Sequence, residues 1–225
     1  MPAQPSQPFL IATPKQWAAA TSPARFEIIE FMASLGPCTV AELAFHLDRP
    51  ADGLYHHLTK LARAGLIVRK GFRQSGPRPE AVYAVASANI RPDFDPATGK
   101  NAGPFRKLCA SILRVTNRQL NAAIDARGQL WEPDQAKLAA DHPAVKRLWA
   151  RSETAWLSDA DLAQINHHLF AVQEIVSRSR TKRRGRLFTL TTFLFPLVRS
   201  RHNSAPTPNR PSAKRRKKPN LEPAL

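Results

Sequence analysis

The segment from residue 51 to residue 64 combines hydrogen-bonding, basic and very small side chains at helical spacing. Leu54, Leu58, Leu61 and Ala62 recur at the interval of one helical turn, which predicts an amphipathic helix with these residues on its inner face. The opposite face carries groups that can hydrogen-bond to base edges or phosphates, and its small first residues let the backbone approach closely. The pattern predicts a nucleic-acid contact surface made of Ala51, Asp52, Gly53, Tyr55, His56, Thr59, Lys60 and Arg63.

Some residues of this helix also have a purely structural interpretation. Asp52 falls in the first turn, where the helix dipole favours a negative charge whether or not DNA is present. His57 falls beside the inner face, and we expect it to pack against the preceding helix or to make a local hydrogen bond. Tyr55, His56 and Thr59 are assigned to bases or phosphates, and the two cations at positions 60 and 63 to phosphates.

A basic hairpin is predicted directly after this helix. Residues 66–70 and 81–85 favour strands, and the loop 71–79 between them contains two glycines and two prolines. The loop has no acidic residue before Glu80, so it suits the sugar-phosphate backbone or the minor groove. We predict nucleic-acid contacts from Arg69, Lys70, Arg73 and Arg78.

Three earlier segments have the signals of helices that would support this surface. Residues 14–20 favour a short helix, and Ser22 followed by proline favours a second helix that runs to about Leu35. Thr39 and Glu42 have the spacing of a capping box, which predicts a short third helix. Gly65 is placed to end the helix 51–64 in the left-handed conformation.

Three stretches of this region resemble the winged helix-turn-helix of ArsR-type (arsenical-repressor-like) regulators. They are SPARFEIIEF at 22–31, TVAELA at 39–44 and LYHHLTKLARAGLI at 54–67, and the last is the most specific because the His-His turn and the Ala-Gly-Leu exit occur together. The resemblance implies a sequence-specific DNA-binding transcriptional regulator, most commonly a dimeric repressor. Helix 51–64 would read the major groove, and wing 69–80 would contact the backbone or the minor groove.

The second half of the chain predicts further helices and one strand. Helical spacing of apolar residues favours a helix over 104–126, a second over 143–156 and a third over 158–178, whereas residues 185–196 suit a buried strand. The third helix has a second capping signal at Ser158–Asp161, and we expect its apolar side to face inward. By the same resemblance this region would help build a homodimer, with Phe105–Ile124 as the first choice of contact, although an intramolecular core explains its apolar stripe equally well. This region could also contain a pocket for a small-molecule effector, whose identity the sequence does not indicate.

The net charge of +17 is concentrated at the C-terminus. Residues 178–225 carry 14 Lys and Arg against one acid, whereas residues 1–177 have a net charge of only +4. Such a tail is attracted to phosphate backbones without regard to sequence, and alternatively to acidic lipids. A solvated tail that only improves solubility is the simpler alternative.

These patterns predict a mainly α protein with a small β wing. Its parts are an N-terminal extension (1–21), a winged helix-turn-helix DNA-binding domain (22–86), a linker (87–103), a helical region for dimerisation or effector binding (104–200) and a disordered basic tail (201–225).

The sequence gives no positive sign of catalysis, of a cofactor or of a metal site. It has no glycine-rich phosphate loop and no nucleophile elbow, and its two cysteines, Cys38 and Cys109, lack metal-ligand spacing. His167 and His168 are adjacent, so they point about 100° apart on a helix and do not form a chelating pair. Without a long apolar run or a signal segment, we expect a cytoplasmic, nucleoid-associated protein with no membrane contact.

Two other function classes compete with operator binding. Winged helices also bind proteins or RNA, so an interaction module of this kind is the first alternative. An enzyme built on the helical C-terminal half is the second, although no catalytic residues are evident in the sequence.

Overall fold

The computed structural model describes residues 8–74, 78–126, 152–180 and 186–197, and this part of the chain is mainly α-helical with a small β wing, as predicted. A compact unit covers residues 1–191, and a smaller one covers residues 192–225. The described helices are α1 (Pro14–Ala20), α2 (Pro23–Leu35), α3 (Val40–Leu47), α4 (Ala51–Arg63), α5 (Ala102–Asp125) and α6 (Asp159–Ser179). The described strands are β1 (Phe9–Ile11), β2 (Cys38–Thr39), β3 (Ile67–Gln74), β4 (Pro79–Val85) and β5 (Ile90–Pro92).

Several predictions fall outside the described residues. These are the irregular segment 128–142, the hairpin tip 75–77, most of the predicted helix 143–156 and the basic tail 201–225. Residues 152–156, which are the described end of that predicted helix, are not helical.

α3 and α6 begin where short side chains satisfy the first backbone N–H groups. The Thr39 hydroxyl accepts a hydrogen bond from the Glu42 N–H at 3.2 Å, and the Glu42 carboxylate accepts one from the Thr39 N–H at 2.8 Å. Ser158 and Asp161 form the same reciprocal pair at the start of α6. Both predicted capping signals are therefore confirmed.

The end of α4 is a Schellman turn. Gly65 has φ of 72°, its N–H donates to the Ala62 carbonyl at 2.9 Å, and the Leu66 N–H donates to the Leu61 carbonyl at 3.0 Å. This pair of bonds satisfies carbonyls that the helix itself leaves unpaired. The prediction that Gly65 ends this helix is confirmed, and β3 begins two residues later.

One hydrophobic core joins the first five helices. Ile28 and Met32 of α2, Leu61 of α4 and Leu66 have no measurable exposure, and Leu108 of α5 belongs to the same cluster. The other fully or nearly fully buried members include Trp17, Ala20, Leu43, Leu54, Leu58 and Ile67. Because α5 buries its apolar face against this core, packing within the chain explains much of the apolar stripe that the sequence shows on this helix.

The wing is longer than the sequence predicted. β4 lies between β2 and β3 in an antiparallel sheet, and β3 continues to Gln74 instead of ending at Lys70. The pairing register shifts between Arg69 and Gly71, and Gly71 has φ of 140°. The predicted loop 71–79 was too long because this glycine forms a bulge, which allows the strand to continue past it.

Residues near the N-terminus form part of the same fold. β1 pairs in parallel with β5, so that Phe9 lies opposite Ile90 and Ile11 opposite Pro92. Ile11 and Trp17 are buried in the core. The segment between the wing and α5 therefore contains a strand.

Two further predictions about the second half were wrong. α6 forms as predicted, but none of its residues is buried, although its apolar stripe was expected to face inward. Residues 185–196 were expected to form a buried strand, yet the described residues 186–197 form no helix or strand, and their large apolar side chains are 42–69% exposed. A strand needs a neighbouring strand for its backbone hydrogen bonds, and none of the described strands pairs with this segment.

Candidate nucleic-acid interface

α4 presents one face to the core and the other to solvent. Leu54, Leu58 and Leu61 are at most 2% exposed, which fixes the rotation of the helix about its axis. The opposite side is exposed and contains the predicted contact residues Asp52, Gly53, Tyr55, His56, Thr59, Lys60 and Arg63. Ala51 is half-buried and packs against the core. A helix about 10–12 Å across with such a face fits a major groove about 12 Å wide.

Local contacts limit what some of these side chains can donate. The Thr59 hydroxyl donates to the Tyr55 carbonyl at 2.8 Å, so its proton is already used and its oxygen is left as an acceptor. Tyr55 is 53% exposed, and the His56 ring meets the His57 ring edge to face at 5.7 Å. Tyr55 and His56 are therefore the residues on this face best placed to hydrogen-bond to base edges.

His57 lies at the edge of this face and is half-buried. Its Nδ1 atom is buried and has no hydrogen-bond partner among the described residues. Burial lowers the pKa of His57, and the nearby charges of Arg25, His56, Arg49 and Lys60 lower it further. The ring is therefore neutral at neutral pH, and it carries no charge with which to bind a phosphate.

The turn between α3 and α4 is held by a buried carboxylate on α2. Asp48 ends α3 in the left-handed conformation at φ of 51°, and Arg49 follows. The Arg49 guanidinium donates to Glu27 Oε2 at 2.7 Å, and Glu27 is only 5% exposed. Arg118 of α5 donates to the other oxygen of the same carboxylate. One acidic group thus links the helix-turn-helix turn to α5.

The wing carries an exposed aromatic ring between its basic residues. Phe72 is 64% exposed, and the Arg69 guanidinium lies 5.3 Å from the centre of its ring. Lys70 and Arg78 are also exposed. Exposed Phe next to cations is the combination with which proteins contact the minor groove or stack on bases.

Arg73 differs from the other wing cations because it is paired within the chain. Its guanidinium donates to Glu42 Oε1 at 2.8 Å and to the Pro37 carbonyl at 3.2 Å. Glu42 is also the capping residue of α3, so this contact connects the wing to the support helix. These contacts hold the Arg73 side chain in place within the wing.

Two features of this site were missed at the sequence level. Phe72 sits inside a basic run, RKGFRQ, and that exposed apolar residue was a signal available in the sequence. The Glu27 cluster had no local signal, because its partners lie 22 and 91 residues along the chain.

The described residues contain no group of three or more His, Cys, Asp or Glu side chains placed to hold a metal ion. Within the same residues, no helix is both long enough and apolar enough to cross a membrane.

Comparison with known families agrees with this geometry. Residues 20–70 match the family model described as a helix-turn-helix domain. No curated protein matches the chain. The matched segment spans α2, α3, α4 and the first residues of β3. Residues 20–70 therefore form a helix-turn-helix domain, in which α3 and α4 are the two helices of the motif and β3 with β4 adds a wing.

Proposed function

We propose that this chain is a sequence-specific DNA-binding transcriptional regulator of the ArsR-like winged type. Its helix α4 enters the major groove, and its wing contacts the backbone or the minor groove. The observation that carries the proposal is the division of α4 into a buried leucine face and an exposed face of mainly polar, basic and small residues. A helix that packed against another part of the protein on both sides would have apolar residues on both.

Roles follow from position and chemistry. Tyr55 and His56 read base edges, because they are exposed near the middle of the helix and have polar groups available. Lys60, Arg63, Lys70 and Arg78 contact phosphates and set affinity, since phosphates carry no sequence information. Arg73 is assigned mainly to holding the wing.

We also propose that the regulator acts as a homodimer and as a repressor. Two copies related by a two-fold axis present two recognition helices about 34 Å apart, one turn of DNA, to the halves of a palindromic site. A dimer bound over a promoter excludes other proteins from it. The resemblance to ArsR-type regulators supports both parts of this proposal.

The test is selection of a preferred site from random duplexes, followed by affinity measurements on that site and on scrambled duplex. The double variant Tyr55→Ala/His56→Ala loses the preference, since each lost base contact costs about 1–3 kcal/mol. The matched control is Phe45→Ala/His46→Ala, which removes an adjacent exposed aromatic-histidine pair from α3 instead.

Two outcomes would contradict the proposal. One is a purified protein that binds every duplex and bulk polyanion equally well. The other is a higher affinity for single-stranded RNA than for any duplex, which would favour an RNA-binding module.

A further inference from the structure

The ring of Phe72 is left uncovered on strand β3 of the wing. It is 64% exposed, and the residue opposite it on β4 is Ala81, whose methyl group is too small to cover a phenyl ring. The Arg69 guanidinium lies 5.3 Å from the centre of the ring. Single exposed apolar residues are common on protein surfaces, so what matters is how the wing holds this one.

A bulge in β3 places Phe72 on the same side of the wing as Arg69. In a regular strand, side chains three residues apart point to opposite faces. Here the register of pairing with β4 shifts between Arg69 and Gly71, so that Lys70 is an extra residue without a partner in β4. The extra residue brings Arg69 and Phe72 to one face, which is why the guanidinium lies near the ring. The bulge therefore builds one surface from a cation and an apolar ring.

The strand that carries the ring is attached to the helix-turn-helix. Arg73, the next residue, donates to Glu42 Oε1 at 2.8 Å and to the Pro37 carbonyl at 3.2 Å. Glu42 also caps the start of α3 through the Thr39 N–H. Because its neighbour in the chain is held in this way, Phe72 has a defined position relative to α3, and its ring can press against a base step.

The surroundings of the ring are basic. β3 contains three cations and no acid, and Arg78 at the start of the second wing strand is exposed. Cations are attracted to the minor groove, most strongly where it is narrow. Proteins that bind there often insert an apolar side chain, such as phenylalanine, between neighbouring base pairs, which unstacks the pairs and kinks the duplex. The wing combines both elements, a set of cations and a fixed ring.

We propose that Phe72 is a wedge that enters between two base pairs from the minor groove and kinks the bound duplex toward the major groove. The step that accepts the ring is pyrimidine–purine, TA or CA/TG, because these steps are the most easily kinked and unstacked. The wing thus adds a sequence preference at a position where no side chain hydrogen-bonds to a base. This inference deepens the proposed function and rests on its contact between wing and DNA.

The first experiment measures the bend by energy transfer between dyes at the two ends of the preferred duplex. Wild-type protein bends this duplex by about 20–90°. Phe72→Ala leaves it nearly straight, whereas Phe72→Leu keeps most of the bend, because leucine also acts as a wedge. The matched control is Phe45→Ala, which removes an exposed ring from α3 and keeps the full bend.

The second experiment locates the wedge in the duplex. A fluorescent adenine analogue, which brightens when its neighbour unstacks, replaces each adenine of the site in turn. Wild-type protein brightens the analogue at one pyrimidine–purine step, and Phe72→Ala does not. Changing that step to AA lowers the affinity of wild-type protein about 5-fold or more and leaves the affinity of Phe72→Ala unchanged.

Three results would overturn the proposal: a straight duplex with wild-type protein, an equal bend with Phe72→Ala, or unstacking that persists in Phe72→Ala. A loss of affinity in Phe72→Ala with the bend intact belongs to the second case and means that the ring contacts sugars instead. Circular dichroism confirms that each variant is folded.

The bend is also measured on scrambled duplex, which separates this inference from the proposed function. Equal affinity for the preferred and scrambled duplexes, with a bend that depends on Phe72 in both, contradicts sequence-specific regulation and leaves the wedge standing. A clear preference for one duplex that stays straight overturns the wedge and leaves the proposed function standing.

Discussion

Arg49, in the turn that precedes α4, donates to one oxygen of the Glu27 carboxylate at 2.7 Å, and Arg118 of α5 donates to the other oxygen. Glu27 is 5% exposed, whereas Arg49 and Arg118 are 26% and 52% exposed. A carboxylate this deeply buried needs its cations, because an unpaired charge in the interior is strongly destabilising. The start of α4 and the position of α5 consequently depend on one acidic side chain of α2.

Replacing that acid should lower stability. Glu27→Gln removes the charge that pairs both arginines, and we expect a loss of about 1–3 kcal/mol in the free energy of unfolding. The measurement is urea denaturation followed by circular dichroism. Glu30→Gln serves as the control, because Glu30 is 44% exposed and its one ion pair among the described residues is with Arg180, and it should cost less than about 1 kcal/mol. Equal losses in the two variants would contradict a special role for Glu27.

His57 should make the fold sensitive to mild acid. Its pKa is lowered from 6.5 in the folded protein by burial and by neighbouring cations. The unfolded chain therefore binds a proton at His57 more readily than the folded protein does. The neutral ring's contribution to the free energy of unfolding is complete above pH 6.5 and is lost as pH falls through the lowered pKa of the folded state. Unfolding free energies at a series of pH values between about 5 and 8 check this. His57→Gln should flatten the decline, whereas His46→Gln, on the exposed side of α3, should leave it unchanged.

The two wing arginines at positions 73 and 78 should differ in their effect on salt dependence. Arg73 is occupied by Glu42, whereas Arg78 is exposed and lies at the start of the second wing strand. Arg78→Met should reduce the slope of log affinity against log salt by about 0.9, the value for one lost phosphate contact. Arg73→Met should change the slope much less. If Arg73→Met also reduced the salt slope by about 0.9, Arg73 would have to leave Glu42 and contact a phosphate when DNA binds.

Phe72 should contribute affinity that does not depend on salt. Phe72→Ala removes an exposed ring that can contact sugars or wedge between bases, and we expect a loss in duplex affinity of about 5- to 20-fold. The salt slope should be unchanged because no charge is lost. Phe45→Ala, which removes a ring that is 82% exposed on α3, is the control and should have little effect. An unaltered affinity in Phe72→Ala would exclude the ring from the interface.

The parts of the fold that the sequence predicted are those with local signals. Thr39 and Glu42 are three residues apart, and Gly65 directly follows its helix, so both ends could be located from nearby residue types. Most of the exposed face of α4 was predicted for the same reason, since its periodicity lies within one helix. Ala62 was wrongly placed on the inner face, since it is exposed, and Ala51 is half-buried.

The parts that the sequence did not predict depend on distant partners. Glu27 reaches Arg118 across 91 residues, and no local spacing reports that contact. The segment 186–197 has strand-forming composition, but composition does not provide a neighbouring strand, so the prediction of a buried strand was wrong. The length of strand β3 was also not predicted, because the chain forms a bulge at Lys70 and Gly71 where a turn was expected.

The pairing of β1 with β5 has a practical consequence for any excised fragment. The pair brings residues 9–11 beside residues 90–92, so backbone hydrogen bonds join the segment before α1 to the segment after the wing. A fragment limited to the family match at residues 20–70 would lack this strand pair, strand β4 of the wing and the buried Trp17 side chain. We therefore expect a stably folded fragment to begin before Phe9 and to extend beyond Pro92 into α5, whose Leu108 belongs to the same core.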